Sequence, residues 1–543
     1  MSSSPLKAPD GDGEVFSRPA LDRVGAALAA NRLIFESNAG LNLQGRTLAD
    51  LREWSRRVSR EQAHAYTRLL GGDDSQSPSN ADPWIVTGHQ PALFHPGVWA
   101  KNFAVDSVAR KHVGVGLNLV VDSDLLTSTT VMAPRGSRAS PRLEPVPFLS
   151  PRPAQPWEGV PIDAPAEFES FGSRVAEIVA ADWGYDPVVA KHWSDAVDMR
   201  EQSPRAADAL TALRSQQERR WGLENQELPL SHLEESDPFR WFAIHLFAHA
   251  HSFRQQHNTV LAEYRRRNRI RSHAHPVPEL RERAGWIETP FWIWKGGMLE
   301  RSPVFIRPRS QRLMIAAGEQ SIAELRINAD ADARLGVDDL AALSDAGWRL
   351  RSRALTTTLF ARLFLADLFV HGIGGAKYDE MTDQIVERFY GMAAPAFLTL
   401  TATLRLPLNP FDVRTDHAVQ LRRRGRDLHF NPNRVLNGPD AELVSAQKRE
   451  LILEQAALRK NHATGHALRA RRRELRRIHQ RLQELNNKLT AAAASTRQSL
   501  LERLRETDRQ LDTNRLLRSR EYSWCLFPEA ALRSLHDQID NLV

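Results

Sequence analysis

The sequence predicts an α/β protein: a parallel-sheet core with helical connecting insertions and a long coiled coil near its C-terminus. Three observations predict it. Two short apolar runs, Trp84 to Val86 and Leu117 to Val121, flank a helical spacing at Val98, Phe103, Val105, Val108 and Ala109. Strand, helix and strand follow one another in fewer than forty residues. That is a βαβ unit, whose strands run parallel with a right-handed crossover. Further on, Leu475, Ile478, Leu482, Leu485 and Leu489 recur at steps of three and four, the spacing of an a/d seam.

In chain order, residues 1–17 are expected to form a disordered tail, and 18–80 an N-terminal helical segment with its linker. That segment is helical in pattern from Leu21 to Leu70 and runs out in GGDDSQSPSNADP, a cluster of loop residues. Residues 81–440 are expected to hold the sheet core, with a helical insertion at about 165–285. Trp286 to Ile315 alternates as a β-meander around a Lys295-Gly296-Gly297 turn. Leu340 to Leu404 reads as helix, interrupted at His371-Gly372-Ile373-Gly374-Gly375. Residues 441–520 form the expected coiled coil, broken at TAAAAS and resumed at Leu501, Leu504 and Leu511. Two helices around that break suggest an antiparallel hairpin, with one long helix as the alternative. Residues 521–543 are expected to pack back on the core.

The chain of 543 residues is long enough for two or three domains. No run of eighteen apolar residues predicts a membrane span, and the first residues lack the apolar core of a secretory signal. Its one cysteine, Cys525, excludes an intramolecular disulfide and fits a reducing cytoplasm, where it reads as a small buried hydrophobe. Much of the formal charge of +7 lies in HALRARRRELRRIHQRL, His466 to Leu482. A basic helix attracts nucleic acid or anionic lipid, but the solvated face of a coiled coil gives the same pattern. The segment also lacks the aromatic residues on which single-stranded bases stack.

Chemistry is expected where loops leave the carboxyl ends of parallel strands. The first loop, Thr87 to Gly97, carries His89, Gln90 and His95 ahead of a helix N-terminus, where backbone N–H groups and the dipole favour an anion. Asp122, Ser123 and Asp124 follow the second strand; the two carboxylates could orient an amine, act as base, bind Mg²⁺ or cap a helix. In the third segment Gly372, Gly374 and Gly375 let the backbone approach a ligand, with His371 and Tyr378 beside them. No GxxxxGK[ST] loop is present, so phosphate cradling of the Walker type is unsupported. His245 and His249 stand at i and i+4, but without HExxH they read as packed or surface histidines, and no metal site is expected.

In their order, TG-x-Q-x-x-LF after a strand, acidic residues after the next, HPVPEL before the meander, a Gly-rich loop with a tyrosine, the coiled coil and NRLL…LFPE, these motifs resemble the bacillithiol-biosynthesis cysteine-adding enzymes (BshC). The resemblance is collinear from about residue 84 to the C-terminus. Thr87, Gly88, Gln90, Leu93 and Phe94 match that family's first motif, while His89 replaces a glutamine and His95-Pro96 a pair of glycines. Asp122 and Asp124 match its acidic motif, with Ser123 in place of a histidine. Gly372, Gly374 and Tyr378 match the third, with Gly375 in place of a glutamate.

The resemblance implies a Rossmann-like core, a coiled coil used for homodimerisation, and a ligase that joins cysteine to glucosaminyl malate through an amide. On that basis His89, Asp122, Asp124 and His371 are the expected catalytic residues. Thr87, Gly88, Gln90, His95, Ser123, Gly372, Gly374, Gly375 and Tyr378 are expected to bind small-molecule substrates. A requirement for ATP and Mg²⁺ stays open, since neither a Walker loop nor an HIGH/KMSKS pair is present. Two alternatives stand beside the ligase: a non-catalytic protein whose basic coiled coil binds nucleic acid or another partner, and a nucleotidyltransferase on the same core.

Overall fold

Short runs of apolar residues, buried on both sides, form the centre of the structure. In the computed structural model residues 6–72, 82–298, 300–309, 312–327, 332–430, 438–460, 462 and 464–543 are described. The linker noted in the sequence therefore lies, from 73 to 81, outside the described residues. Two compact units result: Met1–Arg135, Leu143–Leu406 and Arg520–Val543 make the first, Gly136–Arg142 and Pro407–Ser519 the second.

The first unit runs through β1 (Val15–Arg18), α1 (Val24–Ser37), α2 (Leu48–Leu69), β2 (Trp84–His89), α3 (Pro96–Lys111), β3 (Val115–Val120) and β4 (Gln226–Pro229). An antiparallel set follows: β5 (Trp286–Lys295), β6 (Ser302–Arg309), β7 (Arg312–Ala317), β8 (Gln320–Leu325) and β9 (Trp348–Ser352). The chain then returns to the first sheet through β10 (Leu368–His371), α4 (Ile373–Ile385) and β11 (Phe397–Ala402).

That first sheet has the order β1-β11-β10-β2-β3-β4. Every pair from β11 to β4 is parallel, and only β1 is antiparallel. Counted along the chain, the parallel strands lie third, second, first, fourth and fifth across the sheet. The order reverses between β2 and β10, where Leu368 faces Ile85 and Val370 faces Thr87. The helix α3 starts with proline at its first position, a residue whose fixed φ suits a helix start. It is buried over most of its length, and the C-terminal segment packs on it: Trp524 lies 4.5 Å from Trp99 between ring centres, and His536 5.5 Å from Phe103.

Three expectations are corrected here. The disordered tail was drawn through residue 17, yet Val15–Arg18 pairs with β11, Val15 opposite Ala402 and Arg18 opposite Thr399. The open backbone edge of β11 gives this short segment its partners. The stretch Leu340 to Leu404 is not continuous helix, since β9, β10 and β11 fall within it. A strand buried on both faces shows no alternation, so its apolar run cannot be told from a buried helix by period. The meander gains three strands beyond the expected three: two complete the order β8-β7-β6-β5-β9, and Glu282–Arg283 pairs with β5.

The second unit is helical: α5 (Thr415–Phe430), α6 (Pro439–Lys460), α7 (Gly465–Ala492) and α8 (Ala494–Leu517), with α9 (Glu529–Leu542) back in the first unit. Leu421 and Leu428 of α5 cluster with Ala493 and Leu500, and Arg422 pairs with Asp508 at 2.7 Å, which sets α5 against α8. Lys448 Nζ donates to Asn486 Oδ1 at 2.6 Å, which sets α6 against α7. The chain therefore doubles back between α6 and α7, not at TAAAAS. There α7 and α8 are separated by Ala493 alone, whose N–H still donates to Leu489. The unit also begins at Pro407, earlier than the expected 441. Among the described residues no helix is long and apolar enough to cross a membrane.

Candidate functional site

Two loops leave the carboxyl ends of β2 and β10, on either side of the point where strand order reverses. The first delivers Gly88, His95 and Gly97, the second His371, Gly372, Gly374 and Gly375, to one cavity of about 570 Å³. Two helices begin at its wall. The N-terminus of α3 is closed by His95, whose Nδ1 accepts from the Gly97 N–H at 3.1 Å. The N-terminus of α4 has Gly372 as its cap with no side-chain hydrogen bond, and Ile373, Gly374 and Gly375 of its first turn line the cavity. First-turn N–H groups have no partner inside their own helix, so such a wall favours an anion. Glycine is required at two of these positions. A Cβ on Gly97 would stand 2.3 Å from the Ala402 carbonyl oxygen, and one on Gly375 2.8 Å from His371 Nδ1.

Cations complete the wall. Lys101, one turn into α3, is buried, and its Nζ donates to the Gly88 carbonyl at 2.8 Å. Burial, and then the charge of Arg214, push its ammonium down to about 7. Arg520 donates from Nη2 to Thr401 Oγ1 at 3.1 Å, and Lys377 and Lys7 stand at the rim. Glu521 is the one carboxylate on this wall, 3.7 Å from His95 Nε2. Burial lowers the His95 pKa.

His371 is held from behind. Its Nε2 lies 2.9 Å from Asp379 Oδ2, and the same carboxylate oxygen accepts from buried Arg362, which also bonds Asp383 and the Pro395 carbonyl. Burial raises the Asp379 pKa, but His371 and Arg362 outweigh it and hold the carboxyl at about 2. The ring sits between Phe369 and Phe397, with centre distances of 4.5 and 5.0 Å.

The other expected residues do not reach the cavity wall. Thr87 is buried and donates its hydroxyl to the Val370 carbonyl at 2.8 Å, tying β2 to β10. His89 turns the other way, with Nε2 3.1 Å from Asn102 Oδ1, Nδ1 3.0 Å from the Gln90 carbonyl and its ring on Phe94. Burial, with Lys101 and Arg214 nearby, drives its pKa well below the usual range. Gln90 donates to Asp124 at 2.6 Å, so the first two loops are neighbours as expected. Asp124 also accepts from its own neighbour Leu125 and lies 3.5 Å from Arg301, which donates to the Ser123 carbonyl. Asp122 is buried, and both its oxygens accept from Ser231, through the N–H at 2.8 Å and through the hydroxyl. Burial, with Glu158 nearby, raises it to about 7. Tyr378 packs edge-on to His275.

Sequence reading missed Lys101, Lys377, Thr401 and Arg520. Lys101 does leave a signal, a single charge inside the apolar opening VWAKNF of α3. Arg520 leaves none, because only the fold brings it to Thr401. His245 and His249 pack with their ring centres 4.9 Å apart and tilted to one another, and burial takes His245 down to about 3. Among the described residues no three His, Cys, Asp or Glu side chains converge as metal ligands. No family model matches the chain, and no curated protein matches it.

Proposed function

We propose that the protein is an enzyme that binds a small anionic acceptor in this cavity and joins an amino acid to it through an amide, as a BshC-like ligase. The observation that carries the reading is the meeting of two helix N-termini with Lys101, Lys377 and Arg520 between the first and fourth parallel strands. The strand order matches that of Rossmann-like doubly wound sheets, in which ligands occupy the crevice where the order reverses. Anionic substrates suit this wall because fixed N–H dipoles and partly desolvated cations both favour negative charge. The ligase chemistry rests on the motif resemblance, two of whose three segments border the cavity. Of the two histidines expected to carry protons, His371 stands at the wall and His89 does not. The test is mass spectrometry on protein incubated with glucosaminyl malate and a pool of amino acids, with and without ATP and Mg²⁺. A mass gain of one amino acid minus water is expected. No product from well-folded protein overturns the ligase reading.

Charge distribution favours a second reading, a basic helical unit that binds nucleic acid. Residues 407–519 carry 24 Lys and Arg against 13 Asp and Glu, although the whole chain is only +7. Duplex binding that weakens steeply with salt is the expected outcome under this reading. Negligible binding at low salt removes it.

A further inference from the structure

We propose that Lys101 is the catalytic base of the cavity: its Nζ takes the proton from the acceptor's ammonium and frees the amine that attacks the amino-acid carboxyl carbon. The assignment rests on the ligase reading above and deepens it, since the acceptor must then carry both an amine and an anionic arm.

The geometry singles out this residue. Lys101 is buried at the cavity wall, threaded past Gly372, where an added Cβ would lie 4.0 Å from its Cδ. Its one hydrogen bond, to the Gly88 carbonyl, aims the amine without neutralising it. The charged group that lowers it is Arg214, a cation already engaged by Glu218 and Glu227, and the imidazoles of His89 and His95 lie close enough to feel the charge of Lys101 in turn. The other groups around the cavity are less suited. His95 spends Nδ1 on the Gly97 N–H and turns Nε2 toward Glu521, while His371, with Nε2 on Asp379, has only Nδ1 left for a proton, and that nitrogen is packed against Gly375. Arg520 is a guanidinium, which stays cationic, and Glu521 lies beside it.

An ammonium pushed down to about 7 from the ordinary ~10.4 is half neutral at physiological pH, the range in which a base works best. An anionic arm seated at the α4 N-terminus then favours the charged form of Nζ, so the proton moves from substrate to Lys101 as the complex forms. One N–H bond breaks on the acceptor and one forms on Nζ. The electron pair left on the acceptor nitrogen makes the C–N bond. The acyl donor, a carboxyl activated as a mixed phosphoric anhydride, releases phosphate with the pair of its broken C–O bond, and the second N–H proton, shed as the tetrahedral adduct collapses to the amide, leaves on that phosphate.

Two measurements test this. Trace acetylation of the intact protein with acetic anhydride across a pH series, read by peptide mass spectrometry, should give Lys101 a midpoint near pH 7, against ~10.4 for an ordinary exposed lysine. A midpoint at the exposed value overturns the assignment, whether or not the wild type forms an amide. In turnover, Lys101→Arg and Lys101→Met should both lower kcat by about 10²- to 10⁴-fold. Lys101→Arg should keep its affinity for inorganic phosphate, because it keeps the charge. If Lys101→Arg turns over within a few-fold of wild type, Lys101 only holds the anion and the base assignment is wrong. Absence of product from the wild type, with a midpoint near pH 7, instead counts against the ligase reading.

Discussion

The two sides of β2 carry similar polar residues at the same edge of the same sheet, and they use them differently. Toward β3, Asp122, Asp124, Gln90 and Arg301 bond to one another or to nearby backbone and serine groups. Toward β10, Lys101, Arg520 and the first turn of α4 face a shared cavity; Lys101 has a neutral carbonyl as its partner, and Arg520 lies between the Thr401 hydroxyl and Glu521. The difference teaches that polar residues at a strand's carboxyl end are a poor guide until their partners are known. Carboxylates with a complete set of donors hold loops together. Cations with neutral partners have charge left for a ligand.

The largest effect is expected behind the cavity. Arg362 and Asp379 are each about 2 % exposed and hold His371 in place. Removing one partner leaves the other charged and buried, which costs about 3–5 kcal/mol. Asp379→Asn and Arg362→Met should both show that loss in urea unfolding at neutral pH. The sign with pH follows from the carboxyl's position at about 2, below its unfolded value of ~3.9. Its stabilisation is complete above about pH 4 and is lost as pH falls toward 2. Equal loss on replacing Asp124, which is about half exposed, would erase the contrast between the two sides.

A smaller effect sharpens the contrast in ligand binding. Arg520→Met removes a half-buried cation from the wall, and a charge-assisted hydrogen bond contributes about 1.5–3 kcal/mol. Inorganic phosphate affinity by calorimetry should fall about 10- to 100-fold, while Asp124→Ala leaves it within about twofold. The reverse pattern would move the anion site to the β3 side.

How much of this was legible depended on burial and on distance along the chain. The βαβ unit could be read because β2, α3 and β3 are local, and each loop could be placed because strands end where apolar runs stop. β10 and β11 could not, since Leu368–His371 and Phe397–Ala402 are buried on both faces and sit in a segment of helical composition. In the helical unit, Ile478, Leu485 and Leu489 of the periodic apolar positions are the buried residues of α7. The continuation of that period was misread by one residue, for Leu500 is buried and Leu501 exposed. Of the candidate residues, His371 and the glycines reached the wall because backbone placement decides them. Side-chain partners decide His89 and Asp122, and Ser231 lies more than a hundred residues from Asp122.

The last effect is read as a pH dependence and concerns Asp122 itself, where catalysis and capping make opposite predictions. Its carboxyl sits at about 7 in the fold and ~3.9 in the unfolded chain. Between those values the folded protein holds a proton that the unfolded chain has released. Stability from this group therefore falls as pH rises, by at most ~1.4 kcal/mol per pH unit, and levels off above 7. Asp122→Asn keeps an acceptor for the Ser231 N–H and offers the Ser231 hydroxyl a donor, but it cannot ionise. At about pH 3, below both values, the two proteins should differ by no more than ~1 kcal/mol, the worth of one hydrogen bond. As pH approaches 7 the variant should gain on the wild type, and phosphate affinity should not change. If Asp122→Asn instead abolishes turnover with its fold intact, the carboxylate touches substrate, and the β3 side of the sheet edge belongs to the active site after all.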